Sequence, residues 1–440
     1  MAHTHGGGAS LEQLLSNESL GAAQEWALAV LGGSWSGSQD VALSRALAVL
    51  SRQALHEGRI GDGIRLTLTA LRRVGRAPQS ISEVDQSELA FCLARMLTVT
   101  GDFPAADLAI EPYDAVRSES YPPSTRSISR ALLARARGGV EDAAAAADAA
   151  VTEAERHGNV AVATVGEAVL ASVALARGDL HQARTHVRRG RVAASGSPLE
   201  GFSTALTWSC MKLAEAEDGA DAAVDAMRDT YENLDRRPQL LVDEPDGAAW
   251  LVRVAISAGE DRRASRVVAC AAQLSAAQPE IQVLAAAANH ALGLLERDAD
   301  LLTDAASQYR HPAAVASALE DAGAALAAEG RCEAARSTLN LALDNYSRIS
   351  ASRDQSRVMR RMAEIDRGGH RTRSVTGWGS LTPAEHIVAG LVSEGLTNPG
   401  VAGRMHISRH TVDFHLRQVF RKLGIHSRVE LARAAALRAS

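Results

Sequence analysis

Near the end of this 440-residue chain, His410, Phe414, Arg417 and Arg421 recur at i, i+4, i+7 and i+11, the period of one helical face. Val412, Leu416, Val419, Phe420 and Leu423 keep the same period on the other side and read as a buried stripe. A solvated helix seldom carries a Phe between arginines. The chemistry open to such a face is recognition of a duplex: Arg417 can donate two hydrogen bonds to a guanine, Phe414 can meet a thymine methyl, and Arg421 can hold a phosphate.

Short helices must position that face, and their start and stop signals can be read directly. Thr382 and Glu385 form a capping box, with Pro383 preset in the first turn, and Gly395 stops the helix. Asn398 reads as the cap of a second, short helix carrying Val401, Ala402 and Met405. Ser408 reads as the cap of a third that runs to Leu423 and ends at Gly424. Ser427 and Glu430 repeat the box for a fourth. The tight turn between Met405 and Ser408 gives the spacing of a helix-turn-helix. His415 sits toward the buried side and reads as a packed, structural histidine.

Over residues 381 to about 437 this run resembles the LuxR-type (GerE-type) helix-turn-helix domain of bacterial transcription regulators. The resemblance rests on Leu381, Thr382, Glu385, Gly395, Asn398, Ala402, Ser408, Thr411, Val412, His415, Lys422, Leu423 and Arg428. It implies a recognition unit over 398–417 with base-facing positions at Asp413, Phe414 and Arg417. His410, Thr411, Arg421, Lys422 and Arg428 would then lie along the DNA backbone. Thr382, Glu385, Gly395, Asn398, Ala402, Val412, His415 and Leu423 would hold the fold, and the fourth helix would pair two copies through Val429, Leu431, Ala432 and Ala435. Two departures matter. Asp413 stands where many members carry a basic residue; its carboxylate would repel phosphate but could accept from cytosine N4. Pro399-Gly400 replaces a commoner charged pair, and the Gly costs roughly 1 kcal/mol against Ala inside a helix.

Charge is unevenly placed. Residues 353–440 hold 15 Arg or Lys against 7 Asp or Glu, which leaves −13 on the first 352 residues of a chain whose formal charge is −5. A basic end on an acidic body suggests one DNA-facing module on a body that does not itself bind DNA. Cys92, Cys210, Cys270 and Cys332 lie far apart and form no C-x-x-C pair, so neither a zinc site nor a disulfide framework is expected, and no cofactor. The lysines are Lys212 and Lys422, and neither follows a Gly-rich turn, which excludes a P-loop. Gly33-Ser34-Trp35-Ser36-Gly37 has the wrong spacing for a nucleophile elbow, and no H-E-x-x-H occurs. The sequence therefore predicts no enzyme. Val160 to Ala176 is the most apolar run, but it is broken by Gly166-Glu167 and short for a membrane span. With no signal segment at the start, a cytoplasmic protein without a membrane partner is expected.

The body reads as helix throughout, punctuated by Gly58, Gly101-Asp102, Gly138, Gly178-Asp179, Gly219, Gly259 and Gly330, with Asp298-Ala299-Asp300 where one more turn is due. Five residues after the Gly stands a small residue in six of seven cases: Gly63, Ala106, Ala143, Ala183, Ala264 and Ala335. A turn followed at fixed distance by a small position predicts helical hairpins in close contact, and the pattern resembles a tetratricopeptide repeat with a period of about 40 against the usual 34. The last unit, through Gly330-Arg331, Ala334-Ala335-Arg336 and Tyr346, resembles the segment before the DNA-binding domain in the large ATP-binding LuxR-type regulators, here without their ATPase.

The fold class expected is all-α: a flexible tail over 1–10 that includes His3 and His5, a tetratricopeptide-like helical-repeat domain over 11–365, a Gly- and Arg-rich linker over 366–380, and a four-helix DNA-binding domain over 381–440. The function expected is that of a sequence-specific regulator that binds double-stranded DNA, with residues 408–423 in the major groove. It would act as a homodimer, meet RNA polymerase, and be controlled by an unknown ligand or protein in the repeat groove. The competing expectation is a repeat scaffold for protein partners whose terminal domain binds DNA weakly.

Overall fold

The computed structural model describes residues 27–28, 30, 39–74, 83–111, 123–195, 203–369, 378, 381, 383–405, 407 and 409–439. The N-terminal tail with His3 and His5, the Gly33–Gly37 run, most of the linker, Thr382, Ser408 and the side chain of His410 lie outside them. The described residues are all-α, with no strand among them. The chain divides into two compact units, Met1–Met362 and Ala363–Ser440.

The first unit is a series of antiparallel hairpins. In chain order its helices are α1 (Gln39–His56), α2 (Ile60–Val74), α3 (Glu83–Thr100), α4 (Phe103–Ile110), α5 (Pro123–Ala136), α6 (Val140–His157), α7 (Val160–Arg177), α8 (Leu180–Ala194) and α9 (Thr204–Ala226). After these come α10 (Arg228–Glu232), α11 (Gln239–Asp243), α12 (Gly247–Ser257), α13 (Asp261–Ala277), α14 (Gln282–Glu296), α15 (Ala299–Gln308), α16 (Pro312–Ala328), α17 (Cys332–Arg348) and α18 (Ser352–Gly369), whose residues from Ala363 on belong to the second unit. α18 continues through Gly369, so the first four residues of the expected linker are helical.

Two residues reverse the chain in a typical hairpin. Gly178 adopts φ 80°, ending α7, and the next residue, Asp179, accepts from the Gln182 N–H at 3.0 Å to begin α8. Gly101 and Asp102 do the same between α3 and α4. A left-handed residue strains any side chain with a Cβ, hence the Gly. At the interval where the turn pattern skips, Arg297 takes the left-handed position at φ 58° and Asp298 caps α15, so the turn exists without its usual signature. Gly219 turns the chain inside α9.

The small residues lie where each hairpin closes. Ala106, Ala143, Ala183, Ala264 and Ala335 are fully buried. In the α14–α15 hairpin the sizes are exchanged: Leu302 fills the position, and Gly293 faces it so closely that an added Cβ would come within 2.8 Å of Leu302 Cγ. Small residues thus replace large rings in setting the helix spacing, consistent with 3% aromatic content.

Between α9 and α12 lies an insert that the sequence pattern does not announce. Residues 238–246 run across the first helices of earlier hairpins. His56 of α1 meets Gln239 at 2.9 Å, Arg95 of α3 holds Asp243 at 2.8 Å, and Glu244 is gripped by Arg135 of α5 at 3.1 Å and Lys212 of α9 at 2.5 Å. Trp208 donates to the Leu240 carbonyl at 3.0 Å, and the Tyr309 hydroxyl to that of Pro245 at 3.1 Å. Leu240, Leu241 and Val242 are buried. The insert thus ties α1, α3, α5 and α9 of the body together through its own polar side chains.

Hairpin turns from the first half also meet the second half. Gln278 donates to the Gly58 carbonyl at 2.7 Å and accepts from the Gly61 N–H, and His311 Nε2 donates to the Thr98 carbonyl at 2.8 Å. Val160–Arg177 is long and apolar enough to cross a membrane, but 61% of it is buried among its neighbours.

Candidate nucleic-acid interface

The second unit adds α19 (Pro383–Ser393), α20 (Asn398–Met405), α21 (Arg409–Leu423) and α22 (Arg428–Ala439). Its core is apolar: Leu381, Val388, Ala389, Val392, Val401, Val412, Leu416, Val419 and Leu431 are buried, with Ala402, Met405, Phe420 and Leu423 packed around them. Trp378 joins the same cluster. It lies within the stretch expected to be linker, where a lone Trp in a Gly-rich run is itself a packing signal.

Gly395 takes φ 96° and ends α19, and Gly424 at φ 66° ends α21. α22 starts on a capping box in which Ser427 Oγ accepts from the Glu430 N–H at 3.2 Å and donates to the Glu430 carboxylate at 2.8 Å. That carboxylate also takes the His426 N–H at 2.9 Å, and these bonds, the backbone one foremost, hold it below its ordinary range.

Of the residues expected to touch DNA, three stand outward on α21. Phe414 is 44% exposed, and Arg417 and Arg421 are exposed with no acidic partner among the described residues; Arg421 bonds the neutral Gln418 at 2.6 Å. Thr411 is half-buried, and His415 is half-buried with its ring edge-on to Phe414 at 5.8 Å.

Others are placed differently from the sequence reading. Lys422, expected on the DNA backbone, turns back to the buried carboxylate of Glu385 at 2.6 Å. Position 422 falls between the helix's outward and buried faces, and a buried carboxylate needs a cation. Arg428, expected there too, donates to the Leu396 carbonyl at 3.1 Å and so closes the end of α19. Leu431, expected at a dimer face, is fully buried in its own domain; Val429 is 79% exposed, while Ala432 and Ala435 are partly covered. Asn398 is the first residue of α20 and not its cap. Thr397 takes that place, with its Oγ1 3.4 Å from the Gly400 N–H. The Asn398 amide donates instead to the carboxylate of Asp413, the only acidic residue of α21, so Asp413 is half-buried and engaged rather than presented outward.

The arrangement is thus a helix clamped on one face by an apolar core and offering an aromatic ring and two guanidinium groups on the other. Comparison with known proteins agrees. The family described as bacterial regulatory proteins, luxR family, matches residues 379–435. A protein of Mycobacterium tuberculosis named as an HTH-type transcriptional regulator is 51% identical over 80 residues, which is 18% of this chain and 9% of that protein. The two-component response regulator PprB of Pseudomonas aeruginosa is 42% identical over 57 residues, 13% of this chain and 21% of its own. A nitrate/nitrite response regulator protein homolog of Haemophilus influenzae is 44% identical over 50 residues, 11% and 24% of the two chains. The similarity covers only a small part of each relative. The C-terminal segment is a LuxR-type helix-turn-helix domain.

Proposed function

We propose that this chain is a sequence-specific DNA-binding transcriptional regulator of the bacterial cytoplasm, acting as a homodimer with α21 in the major groove. The observation that carries the reading is the outward face of α21, where Phe414, Arg417 and Arg421 are exposed while the helix's one carboxylate is engaged by Asn398. Arg417 takes the base-reading role, since a guanidinium presents two parallel donors to guanine O6 and N7. Phe414 contacts an apolar base edge, and Arg421 with Thr411 and His410 holds phosphate. Dimerisation uses the exposed side of α22 around Val429, and two copies on a two-fold site add their affinities. The helical body governs the output and offers the surface for RNA polymerase or another partner.

The test is selection of bound duplexes from a random pool by the full-length protein, followed by Arg417→Ala on the best site. The variant should lose about 1 to 3 kcal/mol and accept any base at one position. A wild type that enriches no sequence, or a variant that binds every site as the wild type does, removes the reading.

A further inference from the structure

We infer that Asp413 is a positioning residue that locks α20 against α21 through Asn398, and does not read a base. The inference rests on the DNA-binding reading above and refines its recognition face.

Three observations carry it. The Asn398 Nδ2 donates to Asp413 Oδ1 across the helix-turn-helix, joining the first residue of α20 to the fifth of α21. The Asn398 Oδ1 is buried with no partner among the described residues, so the amide is oriented for the carboxylate and not for its own helix, whose capping passes to Thr397. Asp413 is half-buried, whereas Phe414 and Arg417 beside it are exposed.

The electrostatics point the same way. A free carboxylate on the outward face would repel the phosphates that Arg417 and Arg421 approach. Drawn back onto an amide donor, the same charge makes a charge-assisted hydrogen bond and fixes the angle between the two helices. The Asp413 carbonyl lies 3.4 Å from the Arg417 Nε, so the residue that fixes the angle also sits under the base-reading side chain. α21 would then reach the groove in one orientation, at no cost in base choice.

The experiment is duplex selection and affinity measurement with the full-length wild type, Asp413→Ala, Asn398→Asp, and the exchange Asn398→Asp with Asp413→Asn. Circular dichroism of each variant reports folding. The two single variants should enrich the wild-type motif with affinity lower by on the order of tenfold, since each loses a hydrogen bond to a charged group. The exchange, which reverses donor and acceptor, should restore wild-type affinity on the wild-type motif, and this rescue separates the bond from any general weakening of the domain. A changed base at one position overturns the inference, above all a cytosine lost in Asp413→Ala or an adenine gained with Asn at 413. So does an Asp413→Ala that binds like the wild type. A wild type that enriches nothing removes the parent reading instead, a different outcome from either.

Discussion

Charged side chains are used in opposite ways in the body and in the C-terminal domain. In the body several are buried and paired: Glu244 sits between Arg135 and Lys212, and Asp321 between Arg253 and His290. Glu320 takes Arg357 at 2.6 Å, Arg361 at 3.2 Å and the Tyr346 hydroxyl at 3.1 Å. These pairs join segments far apart in sequence, and Ala-rich helices alone would hold such joins in many registers. Among the described residues of the C-terminal domain the core is apolar with one buried pair, Lys422–Glu385, and the arginines on the outward face of α21 bond no carboxylate. An arginine with a buried partner specifies a fold. An arginine without one is available to a ligand.

The sharpest way to break this contrast is Glu244→Ala. The substitution takes from Arg135 and Lys212 the buried carboxylate that both of them bond and should destabilise the full chain by about 3 to 5 kcal/mol in denaturant unfolding. Arg417→Ala, on the outward face, should stay within about 0.5 kcal/mol of wild type in the same measurement. Similar losses from both would erase the distinction. Lys422→Met tests the domain's one buried pair and is expected to cost about 1 to 3 kcal/mol of stability, because Glu385 keeps its charge without its cation. If Lys422 were a phosphate contact, its loss would also lower the slope of log affinity against log salt by about 1; as an internal partner it leaves the slope unchanged.

What neighbouring residues set is open to reading in a sequence, and what distant contacts set is not. The Gly–Asp turn, the alanine five residues on, and the stripe of Val412, Leu416 and Val419 are set by local geometry, and all of them are legible without coordinates. The insert over 238–246 is not, since its burial depends on Arg95 and Arg135, more than a hundred residues away. For Lys422, Arg428 and Leu431 an outward role is implied by resemblance alone, and the helix phase that turns them inward depends on where Glu385, the Leu396 carbonyl and the domain core lie in space. Asp413 shows the remaining difficulty: a departure at one position acquires its meaning from a second, Asn398, on another helix.

The smallest expected effect is a difference in acid sensitivity. Burial pushes the Glu244 and Asp321 carboxyls up, but Arg135 with Lys212, and Arg253 with His290, outweigh it and hold both well below the usual carboxylate range. His311 is shifted down as well, first by burial and then by the Arg135 charge, against the pull of the Thr98 carbonyl. All three groups lower the native state's proton uptake relative to the unfolded chain. Below the ordinary histidine value of 6.5 the unfolded chain takes up the His311 proton first, and the carboxylates add their share below about 4.5. Stability of the body is therefore complete above pH 6.5 and falls as pH drops, by at most about 1.4 kcal/mol per pH unit for each group. In the C-terminal domain the one such shift among the described residues is on the exposed Glu430. Denaturant unfolding of the full chain between pH 7.5 and 5 should then show a decline that His311→Gln removes, since Gln can still donate to the Thr98 carbonyl but takes no proton. A decline of equal slope in that variant would place the acid-sensitive group elsewhere and leave His311 as packing alone.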